Sequence, residues 1–291
     1  MNEETIKTIE TIGAIAVEAM LYEVAATPKP GLVDRKNSGA HHDMDFYTFM
    51  SSAAALHNVF DRMLRLGLEN QDQPIKNLLA PLRQIGIQAE KQMFEMTQGI
   101  NTHKGMIFTL GILSACAGYA AGKTKLSSDK LCGLAAEMCA GICQRDYHGL
   151  TQKAQLTKGE KMYLQHGLTG VRGEVESGYQ TVREISLPIY RKLRNTNVNI
   201  NDALVQTLLH LIANTKDTNI ISRHNLKTAQ YAKKAAQKLI EKGGIYSANG
   251  YDSVAQLDQD FIERYISPGG CADLLAVTHF LHVIENLINA E

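Results

Sequence analysis

Gly105-Met106-Ile107-Phe108-Thr109-Leu110-Gly111-Ile112-Leu113-Ser114-Ala115-Cys116-Ala117-Gly118-Tyr119-Ala120-Ala121-Gly122 is eighteen residues without a charge, and its reading decides the fold. A membrane span needs about 20 apolar residues, so the stretch sits near the lower limit. Four glycines, a serine, a threonine and a tyrosine interrupt it, and no comparable segment accompanies it. It reads as a helix, about His103 to Ala121, buried on all sides in a globular core.

The flanking segments are helical too. Glu4 to Ala26 carries apolar residues at spacings of three and four, among them Ile12, Ile15, Ala16, Ala19 and Met20. Asp45 is an N-cap candidate for a second helix, Phe46 to Leu66. Pro74 suits the first position of a third, which runs to Thr97. Downstream, Ser127 or Ser128 caps Asp129 to Gln144, Arg145 to Lys161 is polar and unassigned, and Gly167 to Gly178 reads as a glycine-rich loop. Helices follow at Tyr179 to Leu193, from an Asn201 or Asp202 cap to Ala213, and at Asn225 to Lys242, Asp252 to Tyr265 and Ala272 to Ile288. Strict alternation, hairpin dipeptides and repeats are missing. The expectation is an all-α chain: one multi-helix, bundle-like domain over 1–291, with functional loops at the helix ends.

Lys plus Arg equal Asp plus Glu at 30 each, which argues against a broad basic surface for nucleic acid. The polar, acidic residues Met1 to Glu10 do not read as a secretory signal. The five cysteines, Cys116, Cys132, Cys139, Cys143 and Cys271, show no Cys-x-x-Cys pair and fit core positions in a reducing cytoplasm.

Ionisable and glycine-rich residues collect between the helices. Thr27-Pro28-Lys29-Pro30-Gly31-Leu32-Val33-Asp34-Arg35, with Gly39-Ala40-His41-His42-Asp43-Met44-Asp45, is stiffened by two prolines and turned by a glycine. It is either a rigid surface turn or a site wall. Asn101, Thr102, His103 and Lys104 open the buried helix, where free N–H groups and the helix dipole favour phosphate; a merely capped helix is the alternative. Arg172-Gly173-Glu174 offers a guanidinium fork and a base or metal ligand, or else a surface ion pair. Asp217 and Asn219, with Arg223 following, suit Mg²⁺ or simple N-capping. Ser267-Pro268-Gly269-Gly270 leads into a helix whose first turn holds Asp273. His57, His210, His279 and His282 lie within helices and read as structural. No Walker loop, His-Glu-x-x-His or Ser-His-Asp order occurs. These groups suit a Mg²⁺–polyphosphate ligand without naming a reaction.

Taken together, in order and spacing, these five loops resemble the triphosphoribosyl-dephospho-CoA synthase family across nearly the whole chain. The family has Arg-Gly-Gly where this chain has Arg223-His224-Asn225, and serine where it has Cys271. The resemblance implies an enzyme that moves the 5-triphosphoribosyl group of ATP to the 2′-hydroxyl of 3′-dephospho-CoA and releases adenine. The product is a precursor of the acyl-carrier prosthetic group of citrate lyase or malonate decarboxylase, which a separate transferase attaches. A single inverting displacement through an oxocarbenium-like centre needs a carboxylate but no covalent nucleophile. On this reading Asp34 is the first choice for base or oxocarbenium stabiliser, Glu174 the second, and His103 a donor toward adenine. Asp43, Asp217 and Asp273 are the Mg²⁺ candidates. Lys29, Lys104, Arg172 and Arg223 are the candidates for the triphosphate and the CoA pyrophosphate, joined in substrate binding by Arg35, Asn101, Asn219, Ser267, Gly269 and Gly270. A Mg²⁺-dependent helical hydrolase of ADP-ribosyl or nucleotide substrates, and a non-catalytic nucleotide-binding protein, are the alternatives.

Overall fold

The computed structural model describes residues 3–289, so the expected domain limits at 1 and 291 lie outside it. In chain order the helices are α1 (Glu3–Ala25), α2 (Phe46–Ala55), α3 (Val59–Glu69), α4 (Leu79–Met96), α5 (Lys104–Ala120), α6 (Ser128–Cys139), α7 (Ile142–Tyr147), α8 (Lys158–His166), α9 (Gly170–Glu176), α10 (Leu187–Asn195), α11 (Ile200–Asn214), α12 (Thr218–Arg223), α13 (Leu226–Glu241), α14 (Gly250–Glu263) and α15 (Gly269–Asn289). The described residues contain no strand, and the protein is all-α.

The uncharged stretch is α5, and it is the hub. Met106, Ile107 and every residue from Thr109 to Gly118 are buried. A helix apolar all round has no solvent face to offer, so neighbours must cover each side. Here α1, α3, α4, α6 and α15 do so. The carbonyls left over at its C-terminus are covered by Gln71, whose side-chain amide donates to Gly118 O, Tyr119 O and Ala121 O at 3.1, 3.0 and 2.7 Å. No helix among the described residues is long and apolar enough to cross a membrane. One buried hydrophobic cluster runs from Ile12 in α1 to Ile284 in α15. The cysteines are free thiols. Cys116, Cys132, Cys139 and Cys271 are buried, and Cys143 is half-buried against the core; burial pushes the thiols of Cys132, Cys139 and Cys143 up to about 12.

Several expected boundaries move, each for a local reason. The Phe46–Leu66 helix is two helices, broken at Leu56 to Asn58. The break lets α2 pack on α1 and α4 while α3 lies along α5. Pro74 precedes a 3₁₀ turn at Ile75–Leu78 instead of opening α4. Between Arg145 and Lys161 the chain completes α7, makes a 3₁₀ turn at Leu150–Gln152 and starts α8, which a Thr157–Glu160 capping box nucleates. The glycine-rich stretch is partly helical, because burying Val175 against α6 outweighs the glycines of α9. Tyr179–Leu193 is not one α-helix. Pro188 cannot donate to the carbonyl four residues back, and a π turn at Val182–Ser186 precedes α10. Asn199, not Asn201 or Asp202, caps α11, its side chain accepting from Asp202 N at 2.9 Å. Asn201 instead ties the proline-rich loop down, accepting from Thr27 N at 2.9 Å and donating to Thr27 O at 2.8 Å.

Candidate active site

A cavity of about 880 Å³ opens where the helix ends meet. The proline-rich loop forms one wall, and the N-termini of α5, α9, α12 and α15 supply much of the rest. Helix N-termini direct unsatisfied N–H groups and positive dipole ends outward. The sequence had marked these junctions one at a time; the fold brings them to one place.

Asp217 makes the junction of two of them. Its Oδ1 accepts from Asn219 N and Ile220 N at 2.7 and 3.3 Å, capping α12. Its Oδ2 accepts from Cys271 N at 2.9 Å, in the first turn of α15. One buried carboxylate thus holds two helix starts side by side, with Asn219, Gly269 and Gly270 on the cavity surface. Burial pushes the Asp217 pKa up against those three hydrogen bonds.

The third helix start packs against Asp273. Its carboxylate lies on Gly105 at the opening of α5, so closely that a Cβ there would stand 1.9 Å from Oδ2. Gly105 therefore permits the approach that only a residue without a side chain allows. Burial, then the charges of Glu23 and Asp217, push the Asp273 pKa well above the carboxylate range. Of the cavity's acids, Asp273 alone makes no hydrogen bond or ion pair among the described residues.

Cations surround these acids. Lys29 is buried and ion-paired to Glu23. Lys104 reaches Glu90 at 2.6 Å, and Asn101 Oδ1 accepts from Lys104 N at 3.3 Å where α5 opens. Arg172 bonds Asp146 at 2.8 Å and lies 5.5 Å from the centre of the Tyr147 ring. Arg223 also lines the cavity. Ser267 is buried, with its hydroxyl 2.9 Å from His41 Nε2, and burial, then Arg223, lowers the His41 pKa. Glu174 lines the cavity, but its oxygens accept from Thr181 N, Thr181 Oγ1 and Val182 N at 2.9, 2.8 and 3.4 Å, holding the π turn. Burial raises its pKa.

Four of the anticipated site residues fall outside the cavity lining. Asp34 is buried in its own loop, accepting from Lys29 N, Lys36 N and Asn37 N at 3.1, 2.7 and 3.1 Å. Its carboxylate closes the turn that presents Lys29. Gly31 completes that turn with φ 68° and its N–H on Asp258 at 2.9 Å. Arg35 is exposed and donates to Asn201 Oδ1 at 3.0 Å. Asp43 is 65 % exposed, beside His41 at 3.7 Å. His103 is fully buried behind Phe49, its ring centre 5.0 Å from that ring, with Nδ1 2.7 Å from Ser52 Oγ. Burial, then Lys29, pushes its pKa down to about 3, so it is neutral. Asp34→Ala leaves three backbone donors unpaired. We expect a loss of about 3 kcal/mol of stability, read by urea unfolding, larger than any change in the chemical step.

Sequence reading missed Glu23, Lys216, Thr181 and Tyr147, all in the lining. Only Glu23 left a signal. It extends the apolar register Ile12, Ala16, Ala19 of α1, a carboxylate where an aliphatic side chain would pack. The three Mg²⁺ candidates do not form a cage, since Asp43 stands apart. Among the described residues, no three His, Cys, Asp or Glu side chains are placed to hold a metal by themselves. At the Arg223-His224-Asn225 departure neither His224 (φ −131°) nor Asn225 (φ −168°) has the positive φ that favours glycine, and Asn225 caps α13 by accepting from Thr228 N at 2.9 Å.

Comparison with known proteins bears on the chemistry. The family model for CitG, ATP:dephospho-CoA triphosphoribosyl transferase, matches residues 9–291. A 2-(5''-triphosphoribosyl)-3'-dephosphocoenzyme-A synthase of Escherichia fergusonii is 41% identical over 271 residues, 93% of this chain and 89% of the relative. A probable synthase of the same name from Photobacterium profundum is 43% identical over 286 residues, 97% of this chain and 90% of the relative. The Klebsiella pneumoniae synthase is 40% identical over 273 residues, covering 94% and 90%. No solved structure matches.

Proposed function

The chain belongs to the ATP:dephospho-CoA triphosphoribosyl transferase family, and we propose that the cavity at the helix N-termini is where it carries out that transfer. ATP gives its 5-triphosphoribosyl group to the 2′-hydroxyl of 3′-dephospho-CoA, and adenine leaves. The product is 2′-(5″-triphosphoribosyl)-3′-dephospho-CoA, precursor of the acyl-carrier prosthetic group of citrate lyase. A cytoplasmic location goes with this reading, as does a separate transferase that consumes the product.

The observation that carries the proposal is the convergence of α5, α12 and α15 on one cavity, organised by Asp217 and Asp273. The bond to be broken joins the ATP ribose to adenine, so the triphosphate stays on the transferred group and serves as its handle. Three helix N-termini, with Lys104 and Arg223 in the same lining, suit that handle. Arg172, fixed by Asp146, suits a second anionic group such as the acceptor's pyrophosphate.

Asp273 fits a Mg²⁺ ion held jointly by protein and triphosphate. Its carboxylate has no partner among the described residues, and Glu23 and Asp217 crowd it with like charge, which a cation relieves. Mg²⁺ commonly takes one or two carboxylates and fills its shell with phosphate oxygens and water. When bound it would neutralise triphosphate charge. Asp217, with all three hydrogen bonds committed, holds the frame around it.

Purified protein should release adenine from Mg²⁺–ATP only when 3′-dephospho-CoA is added, and EDTA should abolish the release. Chromatography of adenine and mass spectrometry of the product check both. Adenine release from ATP in water alone would favour the hydrolase alternative; ATP binding without release would favour a non-catalytic protein.

A further inference from the structure

Glu23 and Lys29 are 2% and 1% exposed, paired in the cavity wall. Neither head group is saturated. An ammonium has three donors, and among the described residues Lys29 Nζ donates only to Glu23 Oε1. Glu23 Oε2 makes no hydrogen bond among those residues. Desolvating such a pair is expensive and gains little over an apolar pair of similar size. The fold has no need of it either, because Glu23 takes a core register position of α1 that an aliphatic residue would fill. A half-satisfied buried pair facing a cavity is suited to a ligand that both accepts and donates, such as a sugar hydroxyl.

The other candidate acids are engaged otherwise. Asp34 closes its loop. Glu174 holds the π turn. Asp217 caps two helices. Asp273 has the open carboxylate that suits a cation. We propose that Glu23 is the general base that takes the proton of the acceptor's ribose 2′-hydroxyl, with Lys29 fixing its carboxylate and donating to the acceptor ribose.

This rests on the transferase reading above. As the bond between ATP C1′ and the acceptor 2′-oxygen forms, the C1′–N9 bond breaks and its electron pair leaves with adenine. The hydroxyl proton passes to Glu23, adenine takes a proton from solvent, and Glu23 returns its proton to water. A carboxylate base suits an oxocarbenium-like centre, where the hydroxyl loses its proton late.

The test uses two nucleophiles. Wild-type adenine release with 3′-dephospho-CoA is measured first; if it is absent, the transferase reading itself fails. In Glu23→Gln, which keeps shape and a hydrogen bond to Lys29, that release should fall by about 10²- to 10⁴-fold. Azide ion needs no base. Added in place of the acceptor, it should give adenine and a triphosphoribosyl azide at a rate no lower in Glu23→Gln than in wild type. The KM for ATP should stay within about twofold. Near wild-type turnover with dephospho-CoA, or equal loss with both nucleophiles, would overturn the proposal. If the single variant does not fold, Glu23→Gln with Lys29→Met removes both buried charges and is read by the same pair of assays.

Discussion

Asp273→Asn should lower kcat/KM for ATP by on the order of 10²- to 10³-fold and, at pH 7, raise the melting temperature. The two effects share one cause. Burial and the charges of Glu23 and Asp217 push the Asp273 pKa up, so the fold disfavours the ionised carboxylate, a cost that a bound cation would relieve. The sign follows from linkage. In the unfolded chain an aspartate titrates near about 3.9. Below that pH both states are protonated and the group contributes nothing. Above it the unfolded chain loses its proton first, and the folded state loses stability as pH rises, until the higher folded pKa is passed. The asparagine variant lacks this slope. Thermal melts of both proteins between pH 4 and 8, without nucleotide, should converge at the acid end and diverge above it, with the variant the more stable. Adenine-release kinetics give the activity loss. A variant that is both active and less stable would remove Asp273 from the site.

The second large effect lies in the packing. Gly118→Ala should destabilise the protein by about 3 kcal/mol, while Gly86→Ala should stabilise it by about 1 kcal/mol. Both glycines are in helices, Gly118 in α5 and Gly86 in α4. Helix propensity favours alanine at each. At Gly118 a Cβ would stand 1.9 Å from Leu64 O, in the backbone of α3, where nothing flexible can give way. At Gly86 nothing lies within 4 Å. The α3–α5 crossing must therefore open to admit one methyl group, and the hub of the core opens with it. Urea unfolding of both variants measures the pair. A loss at Gly118 of less than about 1 kcal/mol would mean that the crossing yields more readily than close packing allows.

Much of this was readable in advance. The all-α class, the buried α5 and the gathering of ionisable and glycine-rich residues at helix ends follow from period, composition and turn chemistry. Those are local properties, and local residues carry them. The site was readable only as a set of candidates. Glu174, Asp217, Asp273, Lys29, Arg172 and Arg223 come together in the cavity, whereas Asp34, Arg35, Asp43 and His103 do not line it. Asp34 shows why. A conspicuous carboxylate on a stiff turn looks equally well aimed at a ligand or at its own backbone. The choice depends on where three nearby N–H groups point. Glu23 is the converse, an acid hidden in a helical pattern whose partner Lys29 is set by the path of the following loop.

By itself, then, the sequence determined the helices and the kinds of group at their ends, because periodicity, capping and turn residues act within a few positions of the chain. Only the tertiary structure decided which acids face the cavity and which serve the backbone. It also decided which glycines are contact points and which are merely weak spots in a helix. Those outcomes depend on atoms from distant segments meeting at ångström range, as Gly105 meets Asp273 and Gly118 meets Leu64, and no local pattern records such meetings.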